Sequence, residues 1–269
     1  VTMRSAWNSS DATFAAFQSG PYYGGHMHMD ANSFIIDKYG TLSYDPTGNQ
    51  KSSLYHSTIK IGSGQREFEN DPLYIYREIA EGENRDCGKI LFYESTDMYT
   101  YAVGEAKNAY KPQDGVENFT RHFLYLKPNT LIVFDRVATS NAGTSKEWRL
   151  QTVNPAVKQE NGNFLVKNKG QMYVQPILPA GSTNIVKTEN GYNMISETPA
   201  SNNNVEYFLN VMTADNMNAS EPEQATMTEN ETSVTVTLSR EVNNSIIEYT
   251  IVFPKNSSDK AQISTNTAG

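Results

Sequence analysis

Apolar residues in this chain recur at every second position and almost nowhere with a helical period. The runs "SVTVTLS" (Ser233 to Ser239) and "EYTIVF" (Glu248 to Phe253) alternate apolar and polar side chains. That is the period of a strand with one buried and one wet face. Similar short runs, such as "KILFYES", "QMYVQPIL" and "VEYFLNVMTA", are separated by Gly, Pro, Asn and Asp. Pro128-Asn129 between "TRHFLYLKP" and "TLIVFDRVA" predicts a hairpin, as does "KYG" between "NSFIID" and "TLSYD", with Gly40 at its tip. One short helix is expected, a turn or two through "ATFAAF" capped by Ser10 or Asp11. About fifteen strands joined by tight turns are expected. The predicted fold is therefore all-β: a large antiparallel β-sandwich of supersandwich type, a single domain over residues 1–269.

Charge excludes some functions. The net charge is −8, whereas binders of nucleic acid or anionic lipid carry a positive field. Neither is an expected partner, and an anionic polysaccharide would need a local basic patch. No apolar run approaches the roughly 18 residues of a membrane-spanning helix. No basic-then-apolar leader opens the chain, and the missing initiator Met at Val1 suggests a mature or excised piece. Cys87 is the single cysteine, which leaves no intrachain disulfide and no thiolate metal cluster. Richness in Asn, Thr, Ser and Tyr points to a bacterial carbohydrate-active protein that is secreted or periplasmic.

The stretch "GGHMHMDANSF" holds two of the four histidines within three residues. In an extended chain, residues i and i+2 share a face, so His26 and His28 project together and Met27 and Met29 turn away. Two such imidazoles can share a metal, or one can bind metal while the other transfers protons. Asp30 falls on the same face and can orient a ring N–H. Asp45 ends the next strand and returns towards the His28 end, and His56 begins the strand after it. Taken alone, Asp45 would be a turn-capping residue before Pro46. Together, His28, Asp45 and His56 form a set that suits Zn²⁺ with one position open. His122 sits between Arg121 and Phe123 and is expected to be packed or hydrogen-bonded. Nucleophile elbows, phosphate loops and H-E-x-x-H are absent from the sequence. Most of the sixteen tyrosines are ordinary strand residues, but Tyr22, Tyr23 and Tyr55 adjoin the histidines. A tyrosine can donate or accept the proton in sugar chemistry.

The ordered series "MRSAW", "GPYYGGHMHMDANSFII", "GTLSYDPTG", "YHSTIKIG" and "RHFLYLKPNTLIVFDRV", spanning Met3 to Val137, resembles the C-terminal β-domain of the heparinase II/III-like polysaccharide lyases. The resemblance implies a β-sandwich that packs against an N-terminal α/α toroid, here not in the sequence. It implies β-elimination on uronic-acid-containing polysaccharides, a glycosaminoglycan or alginate. It places His26 in the catalytic cleft and gives His28, Asp45 and His56 a structural zinc. Some members use a β-domain tyrosine between that aspartate and the last histidine, and Tyr55 is the one tyrosine in this interval. Two alternatives stand beside this reading: a non-catalytic carbohydrate-binding or structural module, and a cupin-like metal enzyme, since cupins also use H-x-H, a carboxylate and a distant His.

Overall fold

The computed structural model describes residues 1–22, 27–46, 52–66, 86–256 and 259–267. Among them, twenty strands form three antiparallel sheets, with three short 3-10 turns and no α-helix. The first sheet runs Thr2–Arg4, Phe14–Gln18, Ser33–Asp37, Thr41–Ser43, Lys146–Thr152, Tyr192–Thr198 and Thr183–Glu189, and Ile59–Ile61 also pairs with Lys146–Thr152. The central sheet runs Val157–Lys158, Phe164–Asn168, Gly170–Leu178, Val205–Asn216, Thr130–Thr139, Val116–Leu126, Tyr99–Glu105 and Lys89–Ser95. The third comprises Thr226–Glu229, Ser233–Val242, Ser245–Pro254 and Gln262–Thr267.

The central sheet is buried on both faces. From Val116–Leu126, Phe119, Phe123 and Tyr125 enter one core with Phe17, Phe34 and Trp148 of the first sheet. Leu124 and Leu126 enter a second core with Val236, Ile251 and Phe253 of the third sheet. This double burial is why "RHFLYL" lacks a polar face, whereas Ser233–Val242 alternates cleanly between buried and half-buried residues. His122 falls on the second core face, as the alternation predicts. It is fully buried, its Nδ1 lies 2.6 Å from the Tyr101 hydroxyl, and burial holds it neutral, near pKa 3. It packs against Phe134 and Phe253 and ligates nothing among the described residues.

Two expectations change. "ATFAAF" is not helical: Phe14–Gln18 is a strand between Thr2–Arg4 and Ser33–Asp37, with Ala15 and Phe17 inward. Strand pairing on both edges overrides a capping signal worth about 1 kcal/mol. The turn at "KYG" forms, but the left-handed residue is Tyr39 (φ 58°) rather than Gly40. A Cβ on Gly40 would come within 3.1 Å of the Asn168 carbonyl, so the glycine serves close packing. The expected strand "LYIYREI" lies outside the described residues.

The first core also buries charge. Arg121 Nε and Nη2 donate to the two carboxylate oxygens of Asp135 at 2.7 and 2.8 Å, with both side chains fully buried. Glu197 of the first sheet faces Asn210 of the central sheet, whose Nδ2 donates to it at 3.1 Å. Its other oxygen has no hydrogen-bond partner among the described residues. Burial pushes the Glu197 carboxyl up to about 8, so the folded chain holds a proton that the unfolded chain loses near 4.5. Stability from this group is complete below about 4.5 and is lost as pH rises towards 8. Glu197→Gln is therefore expected to flatten the fall in unfolding free energy between pH 5 and 8, and to be the more stable protein at pH 8. Denaturant titrations at the two pH values check this, and identical slopes would show Glu197 ionised in the fold.

Candidate metal centre

Three separate segments meet at one end of the first sheet. The first, residues 27–32, leads into Ser33–Asp37. Asn32 takes φ 58°, which Asn tolerates, and its Nδ2 donates to the carbonyls of Gly104 and Phe119, both at 3.3 Å. Gly104 permits this approach, since a Cβ there would meet Asn32 Oδ1 at 2.3 Å. The second segment follows Thr41–Ser43 and carries Tyr44 and Asp45. The third is the 3-10 turn Ser53–Tyr55, capped by Ser52, whose hydroxyl accepts from Leu54 N–H at 3.4 Å. His56 ends this turn, and the strand starts only at Ile59.

Buried polar groups fix these segments to one another. Gln65 Nε2 donates to Ala31 O at 2.9 Å, while its Oε1 accepts from Ala31 N–H at 3.1 Å and from the Tyr22 hydroxyl at 3.4 Å. Thr58 Oγ1 donates to Ala31 O at 2.9 Å. Arg121 Nη1 donates to Asn32 O at 2.6 Å and to Ser57 O at 2.9 Å. Leu54 O accepts from Arg149 Nη1 at 2.9 Å and from Gln151 Nε2 at 3.0 Å.

The result is the convergence of His28, Asp45 and His56, with one possible ligand atom from each lying within 4.8 Å of the others. The His28 and His56 ring centroids are 5.0 Å apart. His56 is fully buried and its Nδ1 contacts Asp45 Oδ1, while Asp45 is 38% exposed. His56 Nε2 is buried with no hydrogen-bond partner among the described residues. Two imidazoles, one carboxylate and an incompletely satisfied buried ring fit a divalent cation. Tetrahedral zinc needs ligands about 2.0–2.2 Å from the metal and tolerates one open position. The group could hold a metal ion.

Asp30 lies beside the centre, but its carboxylate is held by Gln18, whose Nε2 donates to its oxygens at 2.9 and 3.0 Å. Burial raises the Asp30 carboxyl to about 6, opposed by the nearby His56 ring. The expected bond from a histidine ring to Asp30 does not form among the described residues. His26 and Tyr23 lie outside the described residues.

Tyr55 stands next to His56 on the outer side. Its hydroxyl accepts from Asn190 Nδ2 at 3.0 Å and keeps its own proton for donation. Its ring meets Tyr192 edge-on at 5.1 Å, and Tyr192 lies 6.3 Å from Tyr44 in a stacked orientation. Asn190 and Tyr192 belong to the hairpin of Thr183–Glu189 and Tyr192–Thr198, which the sequence reading missed. Its signal was present: Asn190-Gly191, with φ 51° and 84°, is the dipeptide that favours a tight hairpin.

No family model matches the sequence, and no curated protein matches it. Solved structures do. A heparinase III, the BT4657 gene product, superposes with a TM-score of 0.64 at 15% identity, over 99% of this chain and 41% of that one. The heparan sulfate lyase HepC from Pedobacter heparinus gives 0.63 at 11% identity, over 98% and 40%. A further heparinase III gives 0.60 at 14%, over 99% and 41%. The chain thus spans about two fifths of the length of these lyases. Its all-β architecture fits their C-terminal β-sandwich domain.

Proposed function

We propose that this chain, which has the fold of the heparinase II/III-like β-sandwich, forms one wall of the active site of a polysaccharide lyase. The observation that supports it is the convergence of His28, Asp45 and His56 in that fold. The substrate is a uronic-acid-containing polysaccharide, the missing wall is an α/α toroid, and the protein works in the periplasm or outside the cell.

In this reading His28, Asp45 and His56 hold zinc, which cross-links three loops and thereby fixes the cleft floor. His26, two residues before His28, faces the substrate. Elimination removes the proton at C5 of the uronate, forms the C4–C5 double bond and breaks the C4–O glycosidic bond. The departing oxygen takes a proton. Tyr55 is placed to give that proton, because its hydroxyl oxygen is oriented by Asn190 and its hydrogen is not used there. The tyrosines at 44 and 192 border the same face and offer ring surface to a sugar.

The test is ultraviolet absorbance of the unsaturated uronate product, screened over heparan, chondroitin, hyaluronan and alginate. Tyr55→Phe is expected to lower kcat by about 10²–10⁴-fold, the range of a lost proton-transfer group, with metal content unchanged. Silence on all four polymers would reduce the chain to a binding module.

A further inference from the structure

A cleft of about 870 Å³ opens at the other end of the first sheet, between the Lys38-Tyr39 turn, the Asn129 turn, the Asn243-Asn244 turn and residues 220–223. All three sheets contribute to it. The strand Ser33–Asp37 leads from the metal centre to Lys38, a separation of roughly 17 Å at the rise of a strand. The volume falls in the range of small-ligand sites.

Arg240 lines this cleft and is 8% exposed. Its Nε donates to Thr130 Oγ1 at 3.0 Å, its Nη1 to the carbonyls of Glu223 and Ser239 at 3.0 and 2.7 Å, and its Nη2 to Thr213 Oγ1 at 3.4 Å. All of these partners are neutral. A largely buried guanidinium without a carboxylate at ion-pair distance is costly, and a docking carboxylate offsets that cost with charge-assisted hydrogen bonds. The cleft's other cation, Lys38, is already paired with Asp11 at 2.8 Å.

The rim supplies the complement for a sugar. Tyr39 is 43% exposed at the cleft, and Trp7 is 70% exposed in the loop between the lining residues Ala6 and Ser9. Such rings present a flat apolar face with a polar edge, which suits the C–H face of a pyranose. Glu223 and Glu241 also line the cleft. Their carboxylates repel a second anionic group, so the site disfavours dense sulfation.

We propose that this cleft is a second carbohydrate site. It binds an unsulfated uronic-acid oligosaccharide, with one carboxylate on Arg240 and a sugar face on Tyr39. The choice of a uronate rests on the lyase reading, but the site's occupancy does not require turnover. Titration calorimetry with an unsulfated glucuronate–N-acetylglucosamine hexasaccharide and a fully sulfated heparin hexasaccharide tests it. The unsulfated chain is expected to bind at least tenfold more tightly. Tyr39→Asn, which keeps a residue tolerant of positive φ, and Arg240→Gln should each weaken it tenfold or more, while His28→Ala leaves it unchanged. Undiminished binding in Tyr39→Asn, loss of binding in His28→Ala, or preference for the sulfated chain would overturn the proposal. Elimination products without this binding would sink the second site alone, and this binding without products would sink the lyase reading alone.

Discussion

Arg121→Ala is expected to lower the unfolding free energy by about 3–5 kcal/mol, the usual result of removing one partner from a buried ion pair. The loss is large because three kinds of contact go together. Asp135 loses both of its guanidinium hydrogen bonds and remains buried. The carbonyls of Asn32 and Ser57 lose a shared donor. The aromatic faces of Phe34 and Phe119, 5.2 and 5.6 Å from the guanidinium, lose a cation. The melting temperature should fall by about 10 °C for a chain of this size. Because Asn32 and Ser57 flank the segments that carry His28 and His56, metal content should fall too. Arg121→Met with Asp135→Leu should recover much of the stability, since a packed apolar pair can replace a buried ion pair. A single variant that melts within about 2 °C of the parent would show that the pair does not hold the two sheets together.

The second large effect concerns metal removal. A ligand that binds the folded chain alone stabilises it by about 2.7 kcal/mol at one hundred times its dissociation constant. Chelation of the purified protein should therefore lower its melting temperature by about 5 °C or more, and added zinc should restore it. The three ligands come from segments far apart in sequence, so the metal closes two loops at once. His56→Ala should melt at the lower temperature from the start and respond to neither chelator nor zinc. A chelator shift of the same size in His56→Ala would move the metal to other residues.

Much of the fold is written in the sequence because its signals are local. The alternation in Ser233–Val242 and the Pro128-Asn129 turn depend on neighbours a few residues away, and both form where expected. The central sheet is also recognisable once "RHFLYL" is understood as a strand buried on two faces. The helix expected at "ATFAAF" failed because a short apolar run does not distinguish strand from helix; pairing partners at Met3 and Ile36 decide it. The short strands Thr2–Arg4 and Val157–Lys158 carry too few residues for a period to be seen.

At the site, the ligand set was legible because strand direction and hairpin connectivity place Asp45 and His56 beside His28. What holds the set was not legible. Gln65, Arg121 and Arg149 reach the site segments across sequence separations of 34 to 95 residues, and no local pattern marks a side chain for such a role. The same holds for Arg240, whose place in a cleft depends on a sheet packed late in the chain.

The account turns on a metal held by His28, Asp45 and His56. Elemental analysis of protein purified without added metal tests it directly. It predicts about one zinc per chain, falling below about 0.2 in His28→Ala or His56→Ala. A parent protein with less than about 0.2 zinc per chain, unaffected by His28→Ala, would contradict it.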